Sequence, residues 1–286
     1  MTYHDYLRGD DLILSLAPTG YREPDEQTSY VPVTPEEIAT AVYEGQLQGV
    51  SIAHVHGRSD DGTPEPRRLP AVARAIRAQT TDVLVEYGVG PDTELGDYLD
   101  VIDQGPRPDI AEVRVGPEQY GHRGVSTVNR RDVDRFLKEL RDRDVKPNLL
   151  VTSGRDLNEV YRLVRSNVVE SDPLLTLKIG ARDGTVATPQ VLLALLDAAP
   201  DQANVLVSAS GPNQYPLTTI ATFYGAHVRT GMEDNLYLDR ETPVQDNAQL
   251  VQRVGELVFH SQRSFATFEV ARDIISVGDQ QRDISA

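Results

Sequence analysis

The chain has no cysteine and no tryptophan, and of its 28 basic residues only Lys138, Lys146 and Lys178 are lysines. Without cysteine there is no disulfide, no thiolate nucleophile and no thiolate metal ligand, so any metal site must be built from histidines and carboxylates. No apolar run approaches the ~18 residues that cross a bilayer. Met1 to Asp5 show neither the basic nor the apolar region of a secretory signal, so a cytoplasmic location is expected. Positive charge is scarce too. The 44 acidic residues give a formal charge of −16, which removes the basic face that nucleic-acid binding requires. The shortage of lysine beside abundant Asp and Glu fits either codon bias in a GC-rich genome or a hydrated acidic surface suited to high salt.

What is present is a long alternation. With 286 residues, 39% of them hydrophobic, the chain can bury a large core, and α/β barrels of about 250 residues fold as one unit. Short apolar or β-rich runs at Leu12–Ala17, Val50–His56, Val83–Tyr87, Ile110–Val115, Pro147–Thr152, Leu174–Ile179, Asn204–Ala209 and Ala226–Thr230 are each followed by a helical stretch. The helices are clearest at Asp132–Arg143, Asp156–Val169, Pro189–Ala198 and Asn247–Gln262. Thr34-Pro35-Glu36-Glu37 reads as a helix start, with Thr34 as N-cap and Glu37 closing a capping box, and Gly49 suits the C′ position. Eight strands alternating with helices predict an α/β fold: a single (β/α)₈ TIM barrel over residues 1–286, with Phe265–Val277 as an extra C-terminal helix. The competing open, doubly wound sheet is weakened because no G-x-G-x-x-G follows the first strand.

A barrel places function at the C-terminal ends of its strands. His54-Val55-His56 ends the second run, and residues two apart on a strand point the same way. The pair is half of a zinc site or simply two hydrogen-bonded histidines in a polar pocket. Glu233 follows the eighth strand, which flanks the first in a closed barrel; it reads as a third ligand or as part of a helix-capping Glu-Asp-Asn run. Asp234 beside Arg229 is a candidate general base. Ser208, Gly211 and Gln214 lie in the loop after the seventh strand, where barrels often hold anions on backbone N–H groups; a plain capping loop reads equally well. Glu112 and Arg114 share one face of the fourth strand, which predicts a polar barrel interior. His4, His122, His227 and His260 show no pairing and read as structural or surface residues.

Together these residues resemble the β-keto acid cleavage enzymes. The resemblance rests on Ala17-Pro-Thr-Gly20, Val31-Pro-Val-Thr-Pro-Glu-Glu-Ile38, Ala53-His-Val-His56 with Arg58 and Gly62, Gly211-Pro-Asn-Gln-Tyr215, and Val228-Arg-Thr-Gly-Met-Glu-Asp-Asn-Leu-Tyr-Leu238. Asn247-Ala248, Ala266-Thr267 and Ala271-Arg272 support it. It is strong in both terminal thirds and weak from about residue 86 to 188.

The resemblance implies one Zn²⁺ per chain held by His54, His56 and Glu233, with Arg229 and Asp234 as catalytic residues. It also implies acetyl-CoA as co-substrate, a β-keto acid as substrate, and a homodimer or homotetramer. In the implied reaction the β-keto acid and acetyl-CoA become acetoacetate and a new acyl-CoA.

The chain departs from the family pattern at the substrate end. Arg22 falls where a carboxylate is expected, and Asn148 replaces another. Glu86-Tyr-Gly-Val-Gly90 stands for a small-residue loop, and Gly116-Pro-Glu-Gln-Tyr120 for a small polar one. These changes argue against a cationic substrate and suggest that Arg22 or Arg114 receives a second carboxylate, although Glu86 or Glu112 paired with Arg114 could be purely structural. A metal-dependent lyase or hydrolase without CoA, or a non-catalytic metabolite-binding barrel, are the other readings.

Overall fold

A computed structural model describes residues 11–22, 28–88, 90, 92–119, 125–180 and 185–278. Eight parallel strands close into a barrel: β1 (Leu14–Leu16), β2 (Val50–Val55), β3 (Leu84–Tyr87), β4 (Ile110–Arg114), β7 (Lys146–Val151), β8 (Leu174–Ile179), β9 (Asn204–Ala209) and β10 (His227–Thr230). Closure is made by β1 pairing with both β2 and β10, which excludes the open doubly wound sheet. Between β4 and β7 the two-residue strands β5 (Glu118–Gln119) and β6 (Val125–Ser126) pair antiparallel, an addition that the sequence did not announce. The helices are α1 (Pro35–Gln46), α2 (Leu69–Gln79), α3 (Leu95–Asp103), α4 (Arg130–Asp142), α5 (Gly154–Arg165), α6 (Pro189–Asp197), α7 (Gln214–Phe223), α8 (Asn247–Ser261) and α9 (Phe268–Ile274). Among the described residues no helix is long and apolar enough to cross a membrane.

Local chemistry sets these boundaries. The hydroxyl of Thr34 accepts from the Glu37 N–H while the Glu37 carboxylate accepts from Thr34 N–H, the expected capping box, with Pro35 opening the helix. At the other end Leu47 is the cap, and Gly49 lies one residue beyond C′. The last turn tightens, with Gln48 N–H donating to Gly45 O and Gly49 N–H to Gln46 O, and this defers the left-handed residue.

The barrel interior is layered. Ile13, Ile52, Leu84, Ile110, Leu174 and Leu206 form an apolar floor at the N-terminal ends of the strands, closed from below by Ala271 of α9 and by Ile275, the residue that caps that helix. Two residues further along, the inward side chains become Ser15, His54, Glu86, Glu112, Asn148, Thr176, Ser208 and Arg229, all buried. Burying so many polar groups is costly unless each is paired. A chain that keeps them there forgoes stability for a purpose other than folding.

Candidate metal and active site

Strand β2 carries His54 and delivers His56 just past its end, and the β10 loop brings Glu233 across the mouth. His54 Nε2 and His56 Nε2 are 3.1 Å apart, and Glu233 Oε2 lies 3.4 Å from the first and 3.3 Å from the second. Tetrahedral zinc with bonds of about 2.0–2.1 Å sets neighbouring donor atoms about 3.3 Å apart. The three atoms therefore already form one face of such a tetrahedron. Glu233 Oε2 is buried without a hydrogen-bond partner among the described residues, a costly state for a carboxylate oxygen unless an ion completes it. Among the described residues, these three form the group of histidines and carboxylates whose ligand atoms come close enough to share an ion.

Two glycines make the approach possible. Gly88, at the end of β3, faces both imidazoles, and a Cβ there would stand 2.6 Å from His54 Nε2 and 2.7 Å from His56 Nε2. Gly20 has φ +70 and presses against Glu233, whose Cγ would lie 2.4 Å from a Cβ. Its loop is gripped by Arg58, which donates to Thr19 Oγ1, to the carbonyls of Thr19, Gly20 and Arg22, and to Gly62 O. Asn247 ties the same loop to the β10 loop by donating to Pro18 O and accepting from Met232 N–H.

Behind the histidines lies a buried relay. Glu86 Oε2 is 3.3 Å from His54 Nδ1. Glu86 Oε1 accepts from Asn148 Nδ2 at 2.6 Å, and Asn148 exchanges hydrogen bonds with Thr176. A carboxylate on the far nitrogen of a ligand imidazole fixes its tautomer and orientation. On the other side Arg229 is bidentate to Asp234, with Nε to Oδ2 at 3.0 Å and Nη2 to Oδ1 at 2.9 Å. Nη2 also reaches Glu233 Oε1 at 2.8 Å, and Nη1 is 3.6 Å from Glu112 Oε2.

The charge states follow from this crowding. Burial disfavours the Glu233 carboxylate, but Arg229 and the two histidines outweigh it and hold the group well below the usual range. Burial pushes His56 down to about 4. At His54 burial and Arg229 oppose protonation, yet Glu233, Glu86 and Glu112 prevail and the pKa is raised. Burial raises Glu112 against the pull of His54, Arg229 and Lys178. An ionised Glu233 and a neutral His56 are the forms that bind a cation.

The structure thus brings His54, His56, Glu233, Arg229 and Asp234 together. Ser208 donates to Asp234 Oδ2 at 2.9 Å, Gly211 N–H donates to the Asp234 carbonyl at 2.7 Å, and Gln214 reaches Gly231 O at 3.4 Å. All three hold the β10 loop. Glu86 lies wholly buried beneath His54 rather than at the rim. Arg114 is buried at the end of β4 with Nη1 on Ser126 Oγ, and Arg22 is half-buried beside the β1 loop. Tyr21, Gly88 and Lys178 are additions that the sequence reading missed. The Tyr21 ring is 5.9 Å from that of His56, and Lys178 Nζ is 3.8 Å from Glu233 Oε1. His227 accepts from Ile13 N–H as a structural residue, and His260 lies edge-on to Phe259 on α8. His4 and His122 fall outside the described residues. A cavity of about 670 Å³ near Asp11, Asp197 and His227 opens on the opposite face and includes none of the metal-facing groups.

This geometry agrees with a match to a known family. The family described as beta-keto acid cleavage enzyme covers residues 11–277. The chain belongs to that family. It is 28% identical over 270 residues to the 3-keto-5-aminohexanoate cleavage enzyme of Acetoanaerobium sticklandii, spanning 94% of this chain and 99% of that protein. It is 27% identical over 285 residues to the 3-oxoadipate:acetyl-CoA acetyltransferase of Cupriavidus necator, spanning 95% and 96%. Among solved structures, a ternary complex of ObcA with a C4-CoA adduct and oxalate superimposes with a TM-score of 0.71 at 15% identity, over 88% of this chain and 68% of that one, a likeness of fold. As a family member the chain is a carbon–carbon bond-cleaving enzyme.

Proposed function

We propose that this single-domain barrel is a zinc-dependent enzyme that converts a β-keto acid and acetyl-CoA into acetoacetate and a new acyl-CoA. The observation that carries the proposal is the near-equilateral set of His54 Nε2, His56 Nε2 and Glu233 Oε2, directly beside the Arg229–Asp234 pair. When bound there, the ion supplies Lewis-acid stabilisation of charge on the keto acid's oxygens.

The remaining work falls to this chain's own residues. Asp234 takes the proton from C2 of the keto acid, held in place by the Arg229 fork and the Ser208 hydroxyl. The C2 carbanion attacks the thioester carbonyl of acetyl-CoA, and the CoA thiolate leaves. That thiolate then adds to the keto carbon C3, the C2–C3 bond breaks, and Asp234 returns its proton to C2 of the departing acetoacetate. Every atom of both substrates is accounted for, and no cysteine or redox cofactor is needed.

Inward-facing Glu86, Glu112, Glu233 and Asp234 face Arg229, Arg114 and Lys178. A divalent ion bound there would displace any proton on His54 and shift this balance toward positive, which favours an anionic substrate. Glu86 orients His54, while Ser208, Gly211 and Gln214 act through the Asp234 loop. Arg22 and Arg114 border the substrate end, where a second carboxylate would be received, and a homodimer or homotetramer is the proposed assembly.

Zinc analysis of purified protein beside His54→Ala, followed by a panel of cationic, neutral and dianionic β-keto acids with and without acetyl-CoA, tests the reading. About one zinc per chain, absent from the variant, with turnover that requires acetyl-CoA, is the expected result. Turnover without acetyl-CoA would move the assignment to a lyase or hydrolase, and a preference for the cationic substrate would remove the role given to Arg22 and Arg114.

A further inference from the structure

We infer that Lys178 is the residue that receives the carboxylate of the β-keto acid, a role that rests on the function proposed above. On β8 the inward positions alternate. Thr176 is buried in the hydrogen-bonded pair with Asn148, so Lys178 stands one step nearer the mouth, in register with Ser208. Its ammonium lies 3.8 Å from Glu233 Oε1, the oxygen turned away from the histidines, which Arg229 also holds at 2.8 Å. Lys178 therefore flanks the metal-facing triangle on the side where Glu233 is anchored.

Access separates it from Arg229. The Lys178 side chain is 17% exposed and that of Arg229 is 1% exposed. The floor of the barrel is sealed by Ile13, Ile52, Leu84 and their neighbours, so a substrate enters from the mouth and meets Lys178 on the way to Asp234. The substrate carries its carboxylate one bond from the carbon that Asp234 deprotonates. Even with an ion on the histidine side, Glu112, Glu233 and Asp234 repel that anion at short range, and a cation on the Glu233 Oε1 side, where Lys178 lies, offsets the repulsion. The Arg229 fork is directed at Asp234 and Glu233 in a fixed plane, whereas a lysine offers three donors on a flexible stem. Lys178 can thus keep one N–H toward Glu233 and turn another to the ligand. Leu174–Ile179 reads in sequence as an apolar strand with one lysine, and the barrel's closure is what turns that lysine inward.

Two small probes separate this role from a structural one: acetoacetate, and acetylacetone, which keeps the β-dicarbonyl and lacks the carboxylate. Binding to zinc-loaded wild type, Lys178→Met and Lys178→Arg is followed by calorimetry, beside zinc content and steady-state kinetics. In Lys178→Met, acetoacetate should bind about 10- to 100-fold more weakly, the weight of a charge-assisted hydrogen bond. The KM for the keto acid should rise in step, with kcat changed less than about threefold. Acetylacetone affinity and zinc content should stay at the wild-type level, and Lys178→Arg should recover part of the acetoacetate affinity. Equal loss of both probes, or no loss of either, overturns the assignment, as does a fall in kcat at unchanged KM. If zinc-loaded wild type binds neither probe, the proposed function fails and this role goes with it. Lys178→Gln takes the place of the methionine variant should that one not fold.

Discussion

Replacing Gly88 by alanine adds one methyl group to the wall of the site that lacks a side chain. The backbone tolerates it, because Gly88 is not in the left-handed region and its N–H remains on Val55 O. The cost is contact. The new Cβ would sit 2.6 Å from His54 Nε2 and 2.7 Å from His56 Nε2, where ordinary contact begins at 3.4 Å, so the rings must retreat by about 0.8 Å. Both imidazoles are buried, against Glu86, Glu233 and each other, so a retreat has to displace those neighbours. Metal–ligand distances tolerate about 0.2 Å, so a shift several times larger should break the three-atom set. Zinc affinity should fall about 100-fold or more, while overpacking lowers metal-free stability by about 1–3 kcal/mol. Chelator competition reads the affinity, and denaturant unfolding of the metal-free protein reads the stability. Gly255→Ala is the control. It lies within α8 with no atom near its added Cβ, so it should keep zinc affinity and gain about 0.5–1 kcal/mol. If Gly88→Ala binds zinc within threefold of wild type, the two imidazoles do not converge as described.

Three further perturbations probe the groups around the triangle. Glu86→Gln keeps the hydrogen bond with Asn148 in a flipped amide but loses the charge behind His54, and should weaken zinc binding about 10- to 100-fold; unchanged affinity would make Glu86 a bystander. Arg229→Met leaves Asp234, Glu233 and Glu112 facing one another, so activity should vanish and metal-free stability drop by about 3–5 kcal/mol. A stable, active Arg229→Met would refute the base assignment. His227, pressed from 6.5 to about 3 by burial and then by Arg263, is neutral in the folded protein. Stability is therefore full above pH 6.5 and declines by about 1.4 kcal/mol per unit as acid protonates only the unfolded chain. His227→Asn, which can keep an acceptor for Ile13 N–H, should lose about 2 kcal/mol less than wild type between pH 7 and pH 5, and parallel unfolding curves would contradict this.

Much of the fold was legible because barrel strands, buried on both faces, appear as compact apolar runs between strong helix signals. The first strand is shorter than its run, Leu14–Leu16 against Leu12–Ala17. Its register with β2 shifts between Leu14 and Ser15, and Leu12 instead bridges to Phe265. The β5–β6 ladder escaped notice since two-residue strands carry no periodicity. At the site, the His54-Val55-His56 spacing and the Glu233-Asp234 pair were readable from strand geometry and from resemblance. The relay from Glu86 to Asn148 to Thr176 was not, because it links residues 62 and 28 positions apart, and only barrel closure sets that adjacency. Lys178 was hidden by the same cause.

The central claim is the exchange of acyl groups between a β-keto acid and acetyl-CoA. Zinc-loaded protein, turning over a β-keto acid with acetyl-CoA labelled in its acetyl group, tests it most directly. The label should appear in acetoacetate while the new acyl-CoA carries none. Unlabelled acetoacetate, or cleavage that proceeds equally without acetyl-CoA, would contradict it.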